Sequence, residues 1–171
     1  MDSLVVVLRL THVVCGVLWV GFAVFAGLLL MPALQEVGPD GGKVVGALQR
    51  RGLMTIMPLL AFGTLIPGIW LYARDSAGFQ PSFMSSSVGM TFGLGGLAAL
   101  TAFVVGLVVV RPATERVAAL MQDLAAAKTP QERDQRTAEL QRQRTRATAS
   151  GKAVALLLLL AAAAMAVARY V

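Results

Sequence analysis

Four stretches of this 171-residue chain are long and apolar enough to cross a bilayer, and that limits the fold more than any other feature. They run from Leu4 to Met31, Met54 to Tyr72, Val88 to Val110, and Ala153 to Ala168, the last extending to about 151–170. A hydrocarbon core of about 30 Å needs about 20 such residues in helical form. Lipid offers no partner for an open strand edge, and four strands are too few for a closed barrel, so each stretch is expected to be a helix. The composition agrees, being 57% hydrophobic and only 14% charged, where a soluble domain carries about a quarter charged residues. The expected fold is all-α: a polytopic membrane protein with a four-transmembrane-helix bundle, residues 1–171 forming one integral domain. The first apolar run lacks a cluster of lysines before it and a small-residue cleavage motif after it, so it reads as a retained span.

The connections differ in charge. Residues 32–53 carry a net +1, residues 74–87 hold only Arg74 and Asp75, and residues 111–152 carry nine Lys/Arg against five Asp/Glu. The positive-inside rule then puts the first and third connections in the cytoplasm and both termini outside. The expected location is a bacterial inner membrane. Net charge +6 follows from cations beside the spans, where anionic lipid attracts them, and does not call for nucleic acid. Within the third connection, Val117, Leu120, Met121 and Leu124 recur at helical spacing. A break at Lys128 to Pro130 precedes a second polar helix. Residues 113–148 are therefore expected to form a cytoplasmic helical hairpin between helices 3 and 4. Pro58 and Pro67 are expected to kink the second span. The small residues of the third span, among them Gly89, Gly93 and Gly106, suit close helix packing, in a homo-oligomer or with other membrane subunits.

The sole histidine, His12, lies inside the first span. A charged group at mid-bilayer costs about 2.5 kcal/mol or more on insertion scales, so an intramembrane ionisable residue suggests a function. Arg9, His12, Gly16, Trp19 and Ala23 share one helix face, with Cys15 adjacent. Trp70, Tyr72, Met84, Met90, Met165, Arg169 and Tyr170 are expected at a similar depth. Several chemistries suit this set. A b-type haem needs an axial imidazole, a groove of small and apolar residues, and cations for its propionates; His12, Gly16, Trp19 and Arg9 meet that need, with Met90, Met165 or a second subunit's histidine as the other axial ligand. Copper(I) takes His, Cys and Met. A proton relay would lack an acid within the spans, and the plainest role for His12 is a hydrogen bond to a neighbouring helix's carbonyl. No HExxH, CxxC, phosphate loop or Ser/His/Asp set appears, so no catalytic residue is nominated. A cofactor-free accessory subunit of a larger membrane complex is the alternative of a different class, and a copper-handling protein a third.

The stretch His12-x6-Trp19-x-Gly21, running on to Met31-Pro32-Ala33-Leu34, resembles the first helix of two related groups. These are the copper-resistance protein D family and the HemJ-type protoporphyrinogen oxidases. Gln49-Arg50-Arg51, Met57-Pro58 and Gly68-Ile69-Trp70-Leu71 are similar to the HemJ-type second helix, and Met165 to Val171 to the endings of small relatives. The resemblance covers about 100 residues of the membrane part and implies haem or copper at His12. The third span has neither histidine nor lysine, so the carry-over extends to His12 alone.

Overall fold

The structure, a computed structural model, describes residues 3–127 and 129–171. Among these every regular element is helical: α1 Ser3–Phe25, a π-helical turn π1 Ala26–Leu30, α2 Met31–Glu36, α3 Pro39–Arg50, α4 Leu53–Asp75, α5 Pro81–Met84, α6 Ser87–Val105, a second π turn π2 Gly106–Val110, α7 Arg111–Ala125, α8 Pro130–Val167, and a final 3-10 turn, Ala168–Tyr170. Four helical stretches are long and apolar enough to cross a membrane: Ser3–Glu36, Leu53–Asp75, Ser87–Leu124 and Pro130–Tyr170. Each expected span lies inside one of them.

α1 packs along α4 and α6 along α8, while α1–α8 and α4–α6 contacts join the two pairs. One core results, made of Trp19, Ala61, Ala99, Ala102, Val154, Leu158 and Ala161. Most of these are alanines, whose small side chains let helix backbones approach closely. The outside is correspondingly greasy. Leu10, Val17, Leu29, Leu59, Ile66, Leu94 and Leu160 are each 63–67% exposed, a surface suited to hydrocarbon and not to water.

Three features depart from the sequence reading or refine it. Pro58 and Pro67 deprive the Met54 and Gly63 carbonyls of their usual donors, yet both lie within one continuous α-helix. The non-α geometry falls elsewhere. Each π turn stands just before a proline, Pro32 or Pro112, that cannot donate to the carbonyl four residues back. The helix widens to five-residue hydrogen bonds instead, Met31 N donating to Ala26 O and Arg111 N to Gly106 O. The connection 32–53 is also not a plain loop: it folds into α2 and α3, Gly52 closing the bend into α4 in the left-handed conformation, φ +86°, which suits glycine. The expected helical hairpin is present as α7 against the first part of α8, burying Ala113, Leu120 and Leu140. Of its expected turn, Lys128 lies outside the described residues. Thr129 caps α8 by accepting from Glu132 N at 3.2 Å, with Pro130 at the first helical position.

Candidate functional site

His12 sits on the α1 face that meets α4. Its Nδ1 lies 2.7 Å from the Thr64 carbonyl oxygen. A carbonyl only accepts, so Nδ1 carries the hydrogen, and the tautomer this bond selects in a neutral imidazole has its lone pair on Nε2. Nε2 has no hydrogen-bond partner among the described residues, where no buried side-chain polar atom is left unpaired. Nε2 is therefore reachable from the surrounding space. This is the arrangement by which proteins orient a metal-binding imidazole, one ring nitrogen held by a backbone carbonyl and the other free.

Glycine makes room for the ring. A Cβ built on Gly68 would fall 2.8 Å from His12 Cε1 and 2.9 Å from Nδ1, closer than carbon atoms pack. Any side chain at 68 displaces the imidazole.

Beside the ring is a cavity of about 610 Å³, within the range of small-molecule and cofactor sites. Its walls are mostly apolar, with Leu65, Ile69, Phe92, Leu97 and Leu100 among them, and its glycines are Gly68, Gly93 and Gly96. The polar and charged groups are His12, Thr64, Tyr72, Arg9, Asp75 and Arg169, and Met165 adds a thioether. Arg9 Nη2 stands 3.9 Å from Asp75 Oδ2, with both side chains substantially exposed, a loose pair of little energetic value that leaves the guanidinium free to turn to another anion. Arg169 has no carboxylate partner among the described residues. Tyr72 donates to the Gly89 carbonyl at 3.0 Å and ties α4 to α6 across the cavity.

The residues expected from sequence thus divide. Arg9, His12 and Met165 come together around the cavity, joined by Arg169 and Tyr72. Gly16 lies below them, where a Cβ would meet Thr64 Cγ2 at 3.4 Å. Trp19 is buried in the core and borders a second, smaller cavity. Met90 is 51% exposed and does not line the His12 cavity. Cys15 turns its Sγ against Gly63, where a Cβ would stand 2.7 Å away, which is a packing role. Thr64, Gly68, Asp75, Gly93 and Gly96 were not nominated. Proline followed by glycine at 67–68, in the middle of an apolar helix, was the available signal for the Gly68 position.

The donor set is of a kind that a haem could use. Haem asks the chain for one imidazole nitrogen, apolar walls and cations, and His12, the apolar lining, and Arg9 with Arg169 supply these residue types. Among the described residues no three His, Cys, Asp or Glu side chains gather to hold an ion. Comparison with protein-family models, with curated proteins and with solved structures finds no match for this chain. The fold and site therefore define a class on their own terms: an all-helical chain with four membrane-length helices and an imidazole-bearing cavity between them.

Proposed function

We propose that this chain is an integral protein of a bacterial inner membrane that binds one b-type haem through His12, in electron transfer or haem handling. The observation that carries the reading is the His12–Thr64 hydrogen bond, which fixes the tautomer and leaves Nε2 accessible beside a cavity of about 610 Å³. Arg9 and Arg169 would hold the propionates at the cavity edge, and Gly96, where a Cβ would meet nothing within 4 Å, would leave room for the flat ring. Met165, the thioether in the same lining, would be a second donor to the iron. Bound there, haem supplies one-electron chemistry. The protein's part is to orient the imidazole, exclude water with apolar walls and neutralise the propionates. The resemblance of the first helix to the copper-resistance D and HemJ-type families points to the same histidine. In this reading the four spans form a bundle with both termini and the His12 end outside, and the α7–α8 hairpin in the cytoplasm.

One observation favours a second reading. The His12–Thr64 bond also clamps α1 to α4, and that alone would justify the histidine in a cofactor-free accessory subunit. Oxidised and dithionite-reduced visible spectra of the detergent-purified protein, with metal analysis of the same sample, separate the two. A Soret band and a sharp reduced α-band at near-stoichiometric haem support haem binding. A colourless, metal-free sample from haem-replete cells supports the accessory subunit. Copper in place of iron would turn the reading to copper handling.

A further inference from the structure

The second cavity lies toward the other end of the four helices and measures about 210 Å³. All four spans border it, with Trp19, Met57, Phe103 and Val154 among the apolar walls. Both π turns open onto it, π1 through Ala26 and Gly27 and π2 through Gly106, Leu107 and Val110. Two prolines, Pro32 and Pro112, thus widen two helices at the same void. Such π turns are rare and concentrate at functional sites.

Its polar groups are few. Arg111 engages Glu115 through Nε at 2.9 Å, which leaves its terminal nitrogens available. Thr114 gives its hydroxyl hydrogen to the Val110 carbonyl at 2.8 Å. Thr148 accepts from Gln35 Nε2 at 2.6 Å, and its own hydroxyl hydrogen has no acceptor among the described residues. The cavity therefore presents hydrogen-bond donors with a positive charge beside an apolar interior. The surroundings reinforce the sign. Arg144 and Lys152 stand one turn either side of Thr148 along α8, and Arg50 and Arg51 precede Leu53, which also lines the cavity. The acids of α8, Glu132, Asp134 and Glu139, lie further along the helix, and Glu115 offsets part of the charge of Arg111, so the excess of cations rests on Arg144, Lys152, Arg50 and Arg51. Cations set beside a membrane span attract anionic lipid, and a guanidinium fork matches phosphate oxygens in geometry.

We infer that this cavity holds one acyl chain of an anionic phospholipid whose phosphate is bound by Arg111 and Thr148. The apolar walls bury the chain, the π turns supply the width, and the flanking arginines and lysine select a negative headgroup over a zwitterionic one. This site is separate from the His12 cavity and does not depend on haem.

Trp19 is the reporter, being 6% exposed and in the wall of the cavity. Only two tryptophans are present, so Trp70→Phe leaves Trp19 alone. The full chain is reconstituted in phosphatidylcholine vesicles containing phosphatidylglycerol or phosphatidylcholine with brominated chains, and each is compared with its unbrominated counterpart so that other quenchers cancel. Most of the Trp19 emission is expected to be lost with brominated phosphatidylglycerol and little with brominated phosphatidylcholine. Arg111→Gln should reduce the first to the level of the second, with an unchanged emission maximum showing the fold intact. Ala26→Phe, which fills the cavity while keeping Arg111, should abolish quenching by both lipids. The inference is overturned by equal quenching from the two headgroups, by none from either, or by quenching that survives both substitutions.

Discussion

Gly68→Ala is the smallest change that tests how the site is built. The added Cβ would lie 2.8 Å from His12 Cε1 and 2.9 Å from Nδ1. The imidazole is a rigid ring on a helix packed against α4, so it cannot bend away as a long flexible chain would. Either the ring swings off Thr64 or α1 parts from α4. Overpacking of this kind costs about 1–3 kcal/mol, and losing the 2.7 Å hydrogen bond adds about 0.5–1.5 kcal/mol. Alanine's better helix propensity returns up to about 1 kcal/mol. The net expectation is a loss of about 0.5–4.5 kcal/mol in stability. Haem affinity should fall about 10- to 100-fold, the usual effect of disturbing a group that orients a metal ligand. The assay is a haem titration followed at the Soret band, with a thermal melt in the same detergent. Gly21→Ala is the control, since a Cβ there meets nothing within 4 Å; it should bind haem as the parent does and melt no lower. A Gly68→Ala protein with parental affinity and melting, or a Gly21→Ala protein equally impaired, would refute the reasoning.

Three further outcomes are expected. Arg9→Gln and Arg169→Gln should each weaken haem by about tenfold or more, the value of a hydrogen bond to a charged group; titration with the dimethyl ester of haem should abolish the difference, and a difference that persists would show the arginines act otherwise. Cys15→Ala removes an Sγ that packs on Gly63 and should leave the spectrum unchanged, whereas loss of the Soret band would make the thiol a ligand. On that cysteine-free background, Ser86→Cys should react with an impermeant maleimide added outside intact cells and Ala126→Cys should not. The opposite pattern would invert the orientation.

Hydropathy alone made the four spans visible in the sequence, because lipid demands continuous apolar helices of fixed length. The hairpin was visible as well, through the spacing of Val117, Leu120, Met121 and Leu124 and the Thr129-Pro130 start. α2 and α3 were not. The run Gly38-Pro39-Asp40-Gly41-Gly42 reads as a loop, and its helical form rests on packing of α3 against α2, α4 and α7, which local propensity does not record. At the site, the Arg9–His12 face followed from helical periodicity, and Met165 and Arg169 from counting depth along the fourth span. Thr64 and Gly68 are different in kind. They act on His12 across more than fifty residues, one through a backbone carbonyl that any residue type possesses and the other by having no side chain at all. Asp75 reads in sequence as part of a short polar, serine-rich turn over 74–87, yet it is the last residue of α4 and lies 3.9 Å from Arg9.

The most direct test of the central claim is haem titration of His12→Gly beside the parent, with and without free imidazole. If His12 holds the iron, the parent binds one haem with a low-spin spectrum, the variant loses it while keeping its melt within about 1–2 kcal/mol of the parent, and added imidazole restores the spectrum. A His12→Gly protein that binds haem with the parent's spectrum and affinity in the absence of imidazole would contradict the assignment.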